Sequence, residues 1–138
     1  MADTTTTSPV LESLELYSEL AGEPTAAIYQ RFFALHPESK EEFGGDEILE
    51  QRMMASLLQM LADLADGDRA PAECDYWVWD HIAYEVDLTI AFDMFGAIVD
   101  TLREGIGERW TQDMEDGWQE LIDSLRPVLT TTFEQAGA

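Results

Sequence analysis

His81 stands in the run Trp77-Val-Trp-Asp-His-Ile-Ala-Tyr-Glu-Val86, just ahead of an apolar segment from Ile90 to Ile106, and is one of two histidines in the chain. Neutral imidazole is the commonest metal ligand among side chains, and it needs a fixed ring orientation to serve. An aromatic and aliphatic wall around a single nitrogen donor suits one axial bond to an iron held in a flat cofactor. Earlier in the chain, Gln51 offers an amide donor on an apolar-compatible stem, Tyr29 a phenolic donor, and Phe43 a flat aromatic wedge. Ala55 lies one helical turn beyond Gln51, so the two share a face of the helix expected there. Donors held opposite an imidazole in a dry site stabilise negative charge developing on a ligand. The constellation is one imidazole below, two neutral donors above and an aromatic clamp at the side.

The elements that must position these residues are helices, because the apolar spacing is helical almost everywhere and no alternating strand pattern of useful length occurs. A first helix is expected from about Pro9 to Ala21, capped by Ser8, with Leu11, Leu14, Leu16 and Leu20 inward. Gly22-Glu-Pro24 breaks it. A second helix carries Ile28, Tyr29, Phe32, Phe33 and Leu35 and stops at His36-Pro37, from which a short helix leads to Phe43 and the turn Gly44-Gly45. Asp46 caps a long helix to about Asp66, and a connector begins at Gly67. Helix resumes over about Ala72 to Ala83 and again from about Leu88 to Ile106, where Gly107 ends it. Thr111 caps the last helix, whose apolar face is Met114, Trp118, Leu121, Ile122, Leu125 and Leu129, and Pro127 should kink it near its end. The expected organisation is a single all-α domain of six or seven helices over residues 9–133, between a disordered tail at 1–8 and a short tail at 134–138.

At these residues the chain resembles the globin family, and most closely the bacterial single-domain globins and the haem domain of flavohaemoglobins. The carriers are the segment Ile28 to Phe43, the pair Gln51-Arg52, His81, and the stretch Phe95 to Thr111 followed by Trp118, together spanning roughly residues 9 to 130. The resemblance implies a three-over-three helical sandwich around haem b, with His81 as the iron ligand. Tyr29 and Gln51 would contact a diatomic gas (dioxygen, nitric oxide or carbon monoxide), and Phe43, Ala55 and Phe92 would line the cofactor. The implied function is gas binding for storage, scavenging or sensing. The alternative is conversion of nitric oxide to nitrate with a separate reductase as electron donor, and a second alternative is a haem-free interaction module. Departures bear on that choice. The corner between Phe43 and Gln51 is about two residues shorter than in typical flavohaemoglobins, Phe92 stands where a tyrosine is frequent, and Ile122 replaces another frequent tyrosine. Ala55 is smaller than the aliphatic residue usually found there, and no reductase domain accompanies the chain.

Plainer readings stand beside these. A lone histidine on an apolar helix is more often a satisfied core residue than a ligand, and His36 beside Pro37 reads as a surface residue at a helix break. Met54 reads as pocket wall or core rather than as a second iron ligand. Asp80-His81 is half of a catalytic triad with no nucleophile motif, which argues against a hydrolase.

Composition narrows the partners. The 138 residues hold 29 Asp and Glu against 7 Lys and Arg, a formal net charge of −22, yet 46% of residues are hydrophobic. Self-repulsion of this size destabilises a compact state unless salt screens it, and at about 1 M salt the Debye length is roughly 3 Å. A halophilic, high-salt cytoplasm is the expected setting. Without a basic patch to release counterions, nucleic acid and anionic membranes are poor partners. Cys74 is the single cysteine, which precludes an intramolecular disulfide and fits a reducing interior. The start of the chain lacks the basic and apolar regions of a secretory signal. No apolar run approaches the roughly 20 residues of a membrane span.

Overall fold

Ser8 turns the chain into its first helix by accepting the Val10 N–H at 3.2 Å. Pro9 sits in the first turn, where its missing N–H leaves no hydrogen bond unmade. In the computed structural model, which describes residues 8–43, 46–67 and 88–135, this helix is α1 (Pro9–Ala21). It ends at Gly22, whose φ of +85° lies in the left-handed region that a side chain disfavours. Next come α2 (Thr25–Leu35) and the short α3 (Pro37–Phe43). The helix α4 (Glu47–Ala65) starts where the Asp46 carboxylate accepts the Leu49 N–H at 3.0 Å. The helix α5 (Leu88–Ile106) passes into one 3-10 turn at Gly107–Arg109. Thr111 then caps α6 (Gln112–Gln135), its hydroxyl accepting the Met114 N–H at 3.1 Å. Pro127 lies inside α6, which continues beyond it to Gln135. The described residues are helical with no strand among them, as the apolar spacing predicts. The helix expected over 72–83, the Gly44-Gly45 turn and most of the connector after Gly67 lie outside the described residues.

The helices pack in a definite set of pairs. The inner face of α2 meets α5, α1 rests on both α5 and α6, and α4 contacts α1, α2 and α6. The shared core includes Ile28, Phe32, Met54, Leu61, Phe95, Ile98, Leu102 and Trp118. Burying one such side chain contributes roughly 1.5–3 kcal/mol, which is what opposes the chain entropy here. A polar link also crosses the core: the Trp118 indole N–H donates to the Ser13 hydroxyl at 2.8 Å, and that hydroxyl donates to the Val10 carbonyl at 2.6 Å.

The inward faces depart from expectation at two leucines. Leu20 is 47% exposed and Leu35 60% exposed, whereas Val10, Ser13 and Tyr17 form the buried face of α1. The phase of α1 follows from Tyr17, whose ring lies so close over Gly105 of α5 that a Cβ added there would collide with it. Turning Leu20 inward would lift that ring off its seat. Among the described residues, no helix is long and apolar enough to cross a membrane.

Candidate functional site

Tyr29 belongs to the inward stripe Thr25, Ile28, Tyr29 and Phe32 of α2, which follows the helical spacing. Its side chain is 3% exposed and its ring stacks on Phe33 with centroids 5.3 Å apart. Burial, and secondarily the negative charge of Glu50, pushes its pKa far above that of an ordinary phenol. The hydroxyl therefore keeps its proton at any physiological pH and remains a neutral donor.

One helical turn beyond Phe32, the chain leaves α2 at His36, whose ring tilts against the Phe32 ring at 5.2 Å. Far from being a plain surface residue, His36 is half-buried and bridges two elements. Its Nε2 lies 2.7 Å from Asp93 of α5, and its Nδ1 lies 3.0 Å from Glu38 of α3. Desolvation lowers its pKa, but the hydrogen bonds with Asp93 and Glu38 and their negative charges outweigh it, so the net shift is upward. Both ring nitrogens can donate only in the imidazolium form. Because they point in opposite directions, the two carboxylates do not converge on one point as ligands of a bare metal ion would. Among the described residues no group of three or more His, Cys, Asp or Glu is arranged to hold such an ion. Sequence reading missed this bridge; Glu38 was in view two residues away, but nothing local pointed to Asp93.

The other expected site residues separate into groups. Gln51 and Ala55 share a face of α4, as their spacing predicts, but that face is exposed. Phe92 of α5 is half-buried; it meets Phe95 edge-on at 5.5 Å, and the Arg126 guanidinium lies 4.4 Å from its ring centroid. Phe43 ends α3, and its side chain and the whole of His81 lie outside the described residues. The structure thus brings Tyr29 and Phe92 into one packed body of α2 and α5, while Gln51 and Ala55 stand apart from that core.

Two surface clefts lie elsewhere. One of about 520 Å³ runs between α1, α4 and α6 and carries Asp113, Asp116 and Glu120, a lining that repels anions. The other, of about 400 Å³, lies between α1, α2 and α5 beside Thr101 and the 2.7 Å Arg31–Glu104 ion pair. The chain matches no known family model and no curated protein.

Proposed function

We propose that this chain is a haem-binding globin that holds a diatomic gas, with His81 as the axial imidazole and the Tyr29 hydroxyl as donor to the gas. The observation that carries this reading is a protonated phenol 3% exposed in an apolar core, on the helix that leads through α3 to Phe43. Further support comes from the all-helical build, with α2 packed on α5 and α1 on α6, an arrangement compatible with pairwise helix packing around a cofactor.

The side chains present fit haem b in chemical type. A porphyrin needs an apolar flank, to which the half-buried Phe92 would contribute, and a gas needs a donor shielded from water, which Tyr29 would offer. Haem b, when bound, would supply an iron able to take a diatomic gas. Tyr29 would do the orienting work: its proton stays on oxygen, and it shares a core with Ile28, Phe32 and Met54. A donor in such a setting slows release, which suits scavenging or storage.

Expression with ample haem tests the reading. An intense Soret band is expected in the purified protein and its loss in His81→Ala, and Tyr29→Phe should speed dioxygen release by about tenfold, the equivalent of one good hydrogen bond. A protein that stays haem-free under those conditions refutes the proposal.

A further inference from the structure

We infer that His36 is a proton-operated latch: with both ring nitrogens protonated it ties α3 to α5, and on losing one proton it keeps Asp93 and releases Glu38, which frees α3 at the corner between α2 and α4. The geometry around the ring carries this. Nε2 lies 2.7 Å from an Asp93 oxygen and Nδ1 lies 3.0 Å from a Glu38 oxygen, while the Phe32 ring packs against the imidazole with centroids 5.2 Å apart. The imidazole is 14% exposed, against 40% for Asp93 and 58% for Glu38. A carboxylate only accepts, so both contacts are hydrogen bonds only while the ring donates from both nitrogens, which the imidazolium alone can do. Among the described residues, the charges that act on the ring are Asp93 from α5 and Glu38 from α3, and α2 presents Phe32. Desolvation works against the imidazolium, and the two carboxylates outweigh it. Glu38 itself stays ionised from mildly acidic pH upward, held below the usual carboxylate range by its own backbone N–H and by His36.

A neutral ring has a single N–H to give, and it goes to Asp93. That contact is the shorter and the better sheltered from water, and Asp93 belongs to a 19-residue helix packed on α1, α2 and α6. The bare Nδ1 then faces the Glu38 carboxylate, and two acceptors at 3.0 Å repel each other. Glu38, the more exposed partner, turns to water at little cost. Little else holds α3: Pro37, Glu38, Lys40 and Glu41 are all exposed, and its seven residues pack chiefly on α2. A segment with so few buried contacts opens locally. The His36 backbone N–H still donates to the Phe32 carbonyl at 2.9 Å, so α2 keeps its end while α3 lets go.

Ring nitrogen-15 shifts and amide hydrogen exchange, followed from about pH 5.5 to 9 on the whole chain, test the latch. Corrected for intrinsic base catalysis, protection of the Glu41, Glu42 and Phe43 amides should fall about two- to fivefold as the ring loses its proton. The neutral ring should carry its proton on Nε2, its signals being told from those of His81 by their loss in His36→Gln. Glu38→Gln, a change at an exposed side chain, should leave α3 equally protected at both ends of the range. An amide accepts from Nδ1–H and, turned over, donates to the bare Nδ1. A neutral ring protonated on Nδ1, α3 protection that ignores pH in the unaltered protein, or a Glu38→Gln profile that matches it would each overturn the latch. So would α3 amides that exchange as slowly as the core of α5, because α3 would then open only with the whole fold.

Discussion

His36 is held by Asp93 of α5 at 2.7 Å and Glu38 of α3 at 3.0 Å, with the Phe32 ring against it. Its folded pKa is raised because those two carboxylates outweigh the cost of desolvation. A group whose folded pKa exceeds its unfolded value of about 6.5 contributes stability that is whole below that pH. The contribution is lost as the pH rises through the folded value. The urea midpoint of the protein should therefore fall across this range on the alkaline side, and His36→Gln should flatten that part of the profile. Identical profiles for the two proteins between about pH 5.5 and 9 would rule the bridge out as a source of stability. Tyr29 behaves oppositely: burial, with the charge of Glu50, keeps its hydroxyl protonated across this range.

At the scale of elements, two close fits join α1 to its neighbours. The Trp118 indole of α6 donates to Ser13 of α1, both fully within the core. Ser13→Ala leaves a buried N–H without that acceptor and should destabilise the fold by about 1–3 kcal/mol in urea titration. On the other side Tyr17 of α1 seats over Gly105 of α5, where an added Cβ has no room. Gly105→Ala should cost about 1–3 kcal/mol through displacement of that ring, although alanine is the better helix former by about 1 kcal/mol. A stable Gly105→Ala protein would mean that α1 and α5 can slide apart without penalty. The 3-10 turn at Gly107–Arg109 joins α5 to α6, and Arg103 and Trp110 both reach Glu115 across that corner at 2.9 and 3.0 Å.

Over the whole molecule the excess of negative charge dominates. Of the 7 cationic side chains, Arg31 pairs with Glu104 between α2 and α5, and Arg103 with Glu115 between α5 and α6. Exposed or half-exposed pairs of this kind contribute about 0–1 kcal/mol each and weaken with salt. A net charge of −22 spread over 138 residues is the larger effect, and salt relieves it. Moving from about 0.1 M to 1 M salt should raise the unfolding free energy by at least about 1 kcal/mol, read as a higher urea midpoint. Indifference to salt would show that the acidic groups are already spaced beyond mutual repulsion.

The sequence by itself determined where several of the helices begin and where α1 ends. Ser8, Pro9, Gly22, Pro37, Asp46 and Thr111 act on backbone groups a few residues away, so both ends of α1 and the starts of α3, α4 and α6 were legible from local chemistry. The buried Tyr29 and the apolar face of α6 from Met114 to Leu129 were legible too, because their stripes are narrow and unambiguous. Only tertiary structure decided the phase of α1 and α4. Apolar residues lie on several sides of α4, with Ile48 70% exposed and Met54 fully buried, so spacing alone did not choose which side faces inward. Packing against α1, α2 and α6 chose it, and Gln51 and Ala55 ended outside. The His36–Asp93 contact was likewise beyond the sequence, since it joins groups 57 positions apart that meet only when α2 docks on α5. Hydrogen bonds of caps are satisfied within one turn, whereas the rotation of a helix is settled by the neighbours it buries.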